Sequence, residues 1–190
     1  MVNTESFDFS LRPLVESDLP WFTSLRSSAR EFLHDQRDFS LEDVRVWWSA
    51  TKPDFRVVVD NGSAIGYLRI GVLEQTNLGT SLWIGADLAE DRRGLGLGKA
   101  MYDWALPVLK DEFGNDGFKL RVLPTNTRAI RLYLSLGFKI TAATTDNQME
   151  ERVIRITDLE MSLHPKISHH MVSLDQLLAP SLGYLSRKTR

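Results

Sequence analysis

A run of alternating glycines constrains this chain more than any other stretch of its sequence. The run is Arg93-Gly94-Leu95-Gly96-Leu97-Gly98-Lys99, and it separates an apolar segment, 82–88, from a long helical pattern, 100–113. Glycine permits turns that a Cβ atom would forbid and lets a ligand approach the main chain. The first N–H groups of a helix lack an intrahelical partner and attract anions, above all phosphate. The run therefore predicts an anion-binding turn between a strand and a helix, with Arg93 and Lys99 adding positive charge at its ends.

Two common phosphate-binding loops do not fit this run. A dinucleotide-binding fold requires Gly-x-Gly-x-x-Gly and an acidic residue near the end of the next strand. This chain has Gly-x-Gly-x-Gly, and its next predicted strand, 118–123, ends without an acidic residue. A P-loop requires four residues between its glycines and Ser or Thr after its lysine, whereas Lys99 precedes Ala100. A tight turn without a ligand is the alternative that the glycine run alone leaves open.

A second motif follows one strand later. Asn126 opens a predicted helix, and Ala129, Tyr133 and Gly137 recur along one face of it at four-residue intervals, before Phe138. The small side chain of Ala129 lets a ligand come near the helix, and the phenol of Tyr133 extends along the same face. A tyrosine at helical spacing is also common in a protein core, which is the alternative for Tyr133.

The order of the predicted elements indicates the fold class. Strands are predicted where apolar residues alternate or are β-branched, and helices where they recur at helical spacing. The predicted strands are 7–11, 55–59, 64–72, 82–88, 118–123, 138–142 and 153–163, and the predicted helices begin after Ser17, Ser40, Lys99 and Asn126. The resulting order, β-α-α-β-β-β-α-β-α-β-β, indicates an α/β domain of the α+β type. Its sheet is expected to be largely antiparallel, with one parallel crossing near the glycine run.

Local signals mark several boundaries of these elements. Ser17 is predicted to cap the first helix, and Ser40-Leu41-Glu42-Asp43 is similar to a capping box for the second. Asn61-Gly62 predicts a hairpin between two strands. Gly85 inside the fourth strand predicts a bulge or a close approach of backbone. Pro107 predicts a kink or an early end of the third helix.

Composition limits the classes of protein to which the chain can belong. Its 190 residues suit one domain with a sizeable core, and its net charge of −2 provides no basic field for nucleic acid. A short basic run at 187–190 makes nucleic-acid binding the weakest alternative. The lack of cysteine excludes disulfides, thiolate metal sites and cysteine nucleophiles. Since the sequence has no apolar run of membrane-spanning length and its N-terminus does not resemble a signal peptide, we expect a cytoplasmic protein.

Taken together, the two motifs resemble those of the GNAT family, the Gcn5-related N-acetyltransferases. Arg93-x-x-Gly96-x-Gly98 resembles the family's Arg/Gln-x-x-Gly-x-Gly/Ala, and 126–138 is similar to its second signature. The segment 88–94 resembles the one that leads into the glycines in the family, although Glu90 stands where proline is usual. Each motif is weak alone, but the pair at this separation is fairly specific.

The resemblance covers 7–163 in element order and implies a fold and its boundaries. Residues 1–164 would form a GNAT domain with a splayed parallel strand pair and about four helices. In this family the fourth strand is bulged and diverges from the fifth, which opens a V-shaped cleft, and Gly85 is a plausible place for that bulge. Residues 165–190 would form an extension that docks as a helix, mediates dimer contacts or is a mobile tail. The protein would be a monomer or a homodimer.

The resemblance also implies an activity, acetyl-CoA-dependent N-acetylation by direct attack of an unprotonated amine on the thioester. No metal and no covalent intermediate is needed. The glycine run would bind the pyrophosphate of acetyl-CoA, and the end of the fourth strand would pair with the pantetheine arm. The cofactor-binding residues implied in this way are Ala86, Leu88, Arg93, Gly94, Leu95, Gly96, Leu97, Gly98, Lys99, Asn126 and Ala129. Tyr133 would protonate the leaving thiolate as the general acid.

The sequence leaves the general base open. Asp87 is our candidate because of its position near the predicted bulge, and Glu74, His34 and Asp35 are the alternatives. Each of them is more often a solvated charge or a structural partner than a base. Trp83 lies four residues before Asp87 on the same side of an unbulged strand, and we interpret it as a core residue rather than a substrate-stacking one.

The amine acceptor is selected in this fold by the first two helices and the loop between the last two strands. The corresponding segments here are 25–48 and 144–151, the second predicted to be a polar loop. The first loosely resembles that of family members that acetylate nucleotide-linked amino sugars or ribosomal-protein N-termini, although a capping box followed by two core tryptophans explains it better. We expect a small-molecule amine, amino sugars included, or a protein N-terminus. A longer acyl group and a non-catalytic acyl-CoA-binding module are the alternatives.

Overall fold

The strands of the protein form one mixed sheet. The computed structural model describes residues 7–148 and 153–167. Its strands are β1 (Phe9–Pro13), β2 (Phe55–Asp60), β3 (Ser63–Thr76), β4 (Gly79–Leu88), β5 (Gly117–Val122), β6 (Lys139–Gln148) and β7 (Val153–Leu163). Its helices are α1 (Leu19–Ala29), α2 (Leu41–Thr51), α3 (Leu97–Phe113) and α4 (Thr127–Ser135). The strand order in the sheet is β1-β2-β3-β4-β5-β7-β6. The predicted order of elements and the α/β class are therefore confirmed.

The central strands β4 and β5 are parallel, and they diverge. Ser81–Trp83 of β4 pair with Gly117–Lys119 of β5. Beyond this short ladder β4 pairs with β3 alone as far as Leu88, and β5 pairs with β7 alone as far as Val122. All other neighbouring strands are antiparallel. The predicted splayed parallel pair is thus confirmed, and it leaves one edge of β4 unpaired over the half that leads into the glycine run.

The bulge lies in β3, not at Gly85 in β4. The β3–β4 register shifts between Ile70 and Leu73, so that Gly71 and Val72 of β3 both lie opposite a single residue of β4. Gly85 itself pairs regularly with Arg69. A Cβ atom at position 85 would make an ordinary contact, 3.4 Å, with the guanidinium of that arginine.

Two hydrophobic cores lie on opposite faces of β3. Side chains alternate along a strand, so Tyr67 and Leu68 point to opposite sides of the sheet. Leu68 packs in a core with Met101 of α3 and Tyr133 of α4. Tyr67 packs in the other core, and its ring centroid lies 5.0 Å from that of Phe22 in α1. The strand pair β3–β4 is held between these two layers, which fixes the place where β4 leaves β5.

The prediction that Ser17 caps α1 is wrong. A short 3₁₀ turn, Glu16–Asp18, precedes the helix, and Asp18 occupies its N-cap position without a side-chain capping bond. The Asp18 carboxylate instead accepts hydrogen bonds from the Arg12 guanidinium at 2.6 Å and the Val15 amide at 3.0 Å. The carboxylate closes the turn and is not free to cap the helix.

Three other local signals have mixed outcomes. The capping box of α2 is confirmed, because Ser40 and Asp43 exchange side-chain to backbone hydrogen bonds. The hairpin at Asn61-Gly62 is also confirmed, with φ of 47° and 77° at its two residues. Pro107 does not end α3 early, since the helix continues to Phe113. A proline inside a helix removes one hydrogen bond, and here the apolar face of α3 packs on both sides of it.

Several strands are longer than their side-chain pattern indicates. β3 continues to Thr76 and β4 begins at Gly79, so the two form a long hairpin beyond the bulge. β6 continues to Gln148, where it pairs with Val153. The predicted polar loop 144–151 is therefore a strand over its first part, and its last residues lie outside the described part of the chain. Backbone pairing carries these polar residues into the sheet.

The predicted C-terminal extension, 165–190, lies outside the described residues beyond Ile167. The domain boundary at residue 164 and the role of the extension therefore stay predictions, although β7 does end at Leu163. Across the two described ranges, no helix combines the length and the apolar character needed to cross a membrane.

Candidate active site

A cleft of about 1030 Å³ opens where β4 and β5 diverge. The glycine loop, 93–99, and the start of α3 form one end of it, α4 forms one wall, and the segment between α1 and α2 forms the other end. The sequence-predicted site residues that line this cleft are Ala86, Asp87, Leu88, Arg93, Gly94, Gly96, Gly98, Lys99, Asn126, Ala129 and Tyr133. Two predicted residues of the loop do not line it, because the Leu97 side chain is buried and Leu95 is exposed to solvent.

The glycine loop offers a series of unpaired backbone donors. Gly94 and Gly96 have φ of 86° and 79°, a conformation that residues with a Cβ atom rarely adopt. Gly96 is the N-cap of α3, and its carbonyl accepts hydrogen bonds from the amides of Lys99 and Ala100. Among the described residues, no backbone carbonyl accepts a hydrogen bond from the amides of 94–98. Consecutive free N–H groups at a helix N-terminus can bind an anion without help from a side chain.

Arg93 connects three parts of the cleft. Its Nε donates to the Leu88 carbonyl at 2.9 Å, and its two terminal nitrogens donate to the Ser28 carbonyl at 3.1 Å and the Ser28 hydroxyl at 3.0 Å. Its own amide donates to the Glu90 carbonyl. The guanidinium therefore holds the end of α1 against the end of β4, a structural task that the sequence does not reveal.

Arg128 is a cation of this site that sequence reasoning missed. It lies in the first turn of α4 and lines the cleft, and one of its terminal nitrogens is 3.3 Å from the Cβ position of Gly94. It forms no ion pair with any residue in the described ranges. Lys99, the cation predicted from sequence, pairs instead with Asp103 at 2.6 Å. The position of Arg128 two residues after the helix-opening Asn126 was the available signal.

Tyr133 lies at the junction of the cleft and the core. Asn126 caps α4, as predicted, by accepting a hydrogen bond from the Ala129 amide at 3.1 Å. Two turns later the side chain of Tyr133 is 8% exposed and lines the cleft. Burial raises the pKa of the Tyr133 phenol to about 12. Its hydroxyl forms no hydrogen bond within the described residues, so a protonated donor is available to a ligand.

A second tyrosine, Tyr102 of α3, stands beside it. The rings of Tyr102 and Tyr133 meet edge to face with centroids 5.7 Å apart. Burial raises the pKa of Tyr102 well above its usual value, with a smaller contribution from Tyr133. The two hydroxyls are close enough for that influence, but their geometry falls short of a hydrogen bond. The Tyr102 hydroxyl is buried without a partner in the described part of the chain.

Asp87 is held in the cleft by Tyr67. The two residues are register partners in β4 and β3, and the Tyr67 hydroxyl donates to the Asp87 carboxylate at 2.6 Å. Burial raises the pKa of Asp87, against the opposing effects of the Tyr67 hydrogen bond and of nearby arginines. A carboxylate with a raised pKa accepts a proton more readily at neutral pH, which a general base requires.

The alternative bases have other partners. Glu74 accepts a hydrogen bond from the Trp83 indole at 2.6 Å, which together with Lys119 lowers the pKa of Glu74. Trp83 itself belongs to neither core, which corrects our interpretation, since its ring lies beneath Lys119 and Arg121. Neither Glu74 nor Trp83 lines the cleft.

The other two alternatives, Asp35 and His34, lie at the end of the cleft formed by the segment between α1 and α2, called the acceptor end below. A side-chain hydrogen bond from Arg37 lowers the pKa of Asp35 to about 2. The Nε2 atom of His34 lies 3.0 Å from the Asp158 carboxylate of β7. This contact connects the segment between α1 and α2 to the part of the sheet beyond β5. A strongly acidic carboxylate such as Asp35 is a poorer base than Asp87. Within the described ranges there is no group of three or more His, Asp or Glu residues that could hold a metal ion.

The fold is shared with solved structures of low sequence identity. A domain from Methanocaldococcus jannaschii has a TM-score of 0.66 and 21% identity, over 84% of this chain and 99% of that one. The protein yncA from Salmonella typhimurium, solved with its cofactor acetyl-CoA, has a TM-score of 0.60 and 20% identity, over 85% and 96%. Spermidine N-acetyltransferase from Vibrio cholerae, solved with CoA and spermine, has a TM-score of 0.65 and 18% identity, over 82% and 95%. At these identities the likeness shows the fold alone.

No curated protein matches the sequence significantly. The match to a protein family is the stronger finding. Residues 18–138 match the acetyltransferase (GNAT) family, and this range includes the glycine loop, Asp87 and the whole of α4. Because that match spans more than half of a chain whose sheet diverges at the predicted place, the protein belongs to the GNAT family of acetyltransferases.

Proposed function

We propose that the protein transfers an acetyl group from acetyl-CoA to the primary amine of a small molecule or of a protein N-terminus. The observation that carries the proposal is the single cleft, which joins the unpaired amides of 94–98 to Tyr133 and Asp87. Acetyl transfer agrees with the family, and two proteins of the same fold were solved with acetyl-CoA or CoA.

Acetyl-CoA, the acetyl donor, fits the end of the cleft that the glycine loop forms. On this proposal the amides of 94–98 bind the pyrophosphate, with Lys99 and Arg128 beside them. The free edge of β4 from Ala86 to Leu88 offers backbone groups to the pantetheine arm, since β5 has already diverged there. Asn126 and Ala129 of α4 lie along the opposite wall. An extended ligand that adds to a sheet edge gains main-chain hydrogen bonds, so the pairing depends little on side chains.

The reaction then needs three proton transfers. Asp87 accepts a proton from the acceptor ammonium, directly or through a water molecule, and the freed amine nitrogen bonds to the acetyl carbon. The carbon–sulfur bond breaks, and Tyr133 donates its proton to the departing sulfur. The nitrogen then loses its second proton, which restores the Tyr133 phenol and leaves a neutral amide. Burial keeps Tyr133 protonated, and the raised pKa of Asp87 makes its ionised form a stronger base. Alignment of the two reactants supplies much of the rate.

Release of free thiol tests the proposal directly. Purified protein would be incubated with acetyl-CoA and a panel of primary amines, among them amino acids, amino sugars, spermidine and a peptide with a free N-terminus. We expect thiol release that depends on the amine and on the protein, and a product that is heavier by one acetyl group. Acetyl-CoA binding without amine-dependent release would overturn the proposal and indicate a non-catalytic acyl-CoA-binding module.

A further inference from the structure

We propose that the acceptor carries an anionic group, a carboxylate or a phosphate, in addition to its amine, and that Arg26 and Arg69 bind this group. The inference rests on the proposed function and names the chemical class of the acceptor. Both arginines line the cleft at its acceptor end, on the same side as Asp87.

Arg69 of β3 lines the cleft and is exposed to solvent. It is the register partner of Gly85, and its Nε and one terminal nitrogen are each 3.4 Å from the position that a Cβ atom would take there. The guanidinium therefore lies beside Gly85, which is two residues before Asp87 on the same face of β4. It forms no hydrogen bond or ion pair with a described residue.

Arg26 approaches the same space from α1. Its guanidinium carbon lies 6.0 Å from the ring centre of Phe22 and 5.7 Å from that of Phe39, so two aromatic faces hold it in place. The side chain is partly buried, and no carboxylate of the described chain pairs with it. A guanidinium that is positioned by apolar contacts keeps its hydrogen-bond donors free for a ligand.

The carboxylates that line the cleft, in contrast, are all engaged. Each of the four accepts hydrogen bonds from a neighbouring side chain: Asp35 from Arg37, Asp43 from Ser40, Asp54 from Arg56 and Asp87 from Tyr67. At this end Arg26 and Arg69 lack an ion pair with a described residue, whereas each carboxylate already has a hydrogen-bond donor and keeps only its remaining lone pairs for a ligand, which on Asp87 are those proposed to take the amine proton. Guanidinium groups bind carboxylates and phosphates by paired hydrogen bonds. The arrangement favours an acid-bearing amine over a polycation.

The short distance between Asp87 and the place of the Arg69 guanidinium indicates a small acceptor. Gly85 and Asp87 are two residues apart on one strand, which is about 7 Å. An amine beside Asp87 and an anionic group beside Arg69 are therefore separated by only a few bonds. Amino acids and phosphorylated amino sugars both have this form.

Matched pairs of amines test the inference. The pairs are alanine and alaninamide, 4-aminobutyrate and 4-aminobutanamide, and glucosamine 6-phosphate and glucosamine, with spermidine as a polycation. Thiol release would be measured at saturating acetyl-CoA. We expect the acid-bearing member of at least one pair to exceed its neutral partner by about tenfold to a hundredfold in kcat/KM, and to exceed spermidine. The first two pairs report on a carboxylate and the third on a phosphate.

Two outcomes would overturn the inference in different ways. Equal rates within every pair, or a preference for spermidine, would refute the anionic group and leave amine acetylation intact. Binding of acetyl-CoA without thiol release for any amine would remove the proposed function and the inference with it.

Variants of the two arginines separate recognition from structure. In Arg69→Gln and in Arg26→Gln we expect the ratio of kcat/KM for the acid-bearing amine to that for its neutral partner to fall toward one. The ratio is the readout, because both arginines also lower the pKa of Asp87 and their loss can change the rate with either amine, and Arg69→Lys should retain part of the preference. Arg45→Gln is the matched control, since Arg45 carries the same charge on α2 outside the cleft and pairs with Glu42 at 3.7 Å. Equal losses for both amines would show a structural role and refute the assignment.

Discussion

The two ends of the cleft offer hydrogen-bond donors of different kinds. At the glycine loop the donors are backbone amides, and their position depends on two glycines with positive φ. At the acceptor end the available groups are the side chains of Arg26 and Arg69, which come from α1 and β3. Backbone donors require a certain chain conformation, so they leave a spacing pattern in the sequence. Side-chain donors require only that distant residues meet, so they leave none.

The largest expected effect is a loss of acetyl-CoA binding when a side chain is introduced into the glycine loop. A side chain at Gly96 would place a group among the free amides, so we expect Gly96→Glu to weaken acetyl-CoA binding by about 100-fold or more through exclusion and charge repulsion. Isothermal titration with acetyl-CoA measures the loss. Gly114→Glu is the matched control, since Gly114 at the other end of α3 also has a positive φ and open space around it. If both variants bind acetyl-CoA like the wild type, the glycine loop is not the pyrophosphate site.

The next effect concerns the proton donor between the two ends. We expect Tyr133→Phe to lower kcat by about 100-fold, the range typical of general acid catalysis, because the proton donor to the departing sulfur is lost. Acetyl-CoA affinity should stay within about twofold, since the ring and its packing remain. Steady-state kinetics and titration measure the two quantities. An unchanged kcat would remove Tyr133 as the acid.

If Asp87 is the general base, kcat/KM should depend on pH through its titration. As the base it must lose its proton, so kcat/KM should rise with pH through its raised pKa, and Asp87→Asn should lose that rise together with about 10- to 100-fold of activity. A group whose pKa is raised on folding stabilises the fold at low pH and loses this contribution as pH rises through the folded pKa. Asp87→Asn should therefore melt higher than the wild type at pH 7, and the difference should vanish below about pH 4.

Glu74 is the control for the direction of the change in melting temperature. Its pKa is lowered by Trp83 and Lys119, so its stabilising contribution is present above the unfolded-state pKa and is lost on acidification. Glu74→Gln should therefore melt lower than the wild type at pH 7, without a change in kcat/KM. If the two variants shift melting in the same direction, the burial assigned to Asp87 is wrong.

The smallest expected effect is on the free energy of unfolding, and it concerns the buried hydroxyl of Tyr102, which has no hydrogen-bond partner among the described residues. Removal of a buried hydroxyl that has no hydrogen-bond partner relieves its desolvation cost. Tyr102→Phe should therefore raise the free energy of unfolding by about 1 kcal/mol in chemical denaturation. Phe138→Leu is a contrasting variant in the same core, expected to destabilise because it leaves a cavity. A loss of stability in Tyr102→Phe would mean that the hydroxyl has a partner after all.

The comparison between the two ends also explains what the sequence could reveal. The order of elements, the diverging strands, the α2 capping box and Asn126 as a cap were all predictable, because each depends on local spacing or on the family resemblance. The extensions of β3 and β6 were not, since polar residues such as Glu74 and Thr144 enter the sheet through backbone pairing alone. The bulge was placed at the glycine in β4, whereas the register shifts at Gly71 and Val72.

Contacts between distant residues account for what was missed in the site. Tyr67 holds Asp87 across the β3–β4 ladder, and Arg128 reaches the glycine loop from the start of α4. Arg93 was assigned to the ligand from its motif position, yet its guanidinium donates to Ser28, 65 residues earlier. Neither spacing nor charge in the sequence specifies such a partner.

That contact gives the two binding ends a thermodynamic link. One guanidinium joins Ser28 at the end of α1 to the carbonyl of Leu88, from which the glycine loop departs. A shift of α1 when the acceptor binds would change the position of the loop, and the resulting coupling free energy must be equal in both directions. Titration of acetyl-CoA with and without acceptor would measure it, and Arg93→Ala should abolish it. The arginine that joins α1 to β4 would then set the coupling free energy between donor and acceptor binding.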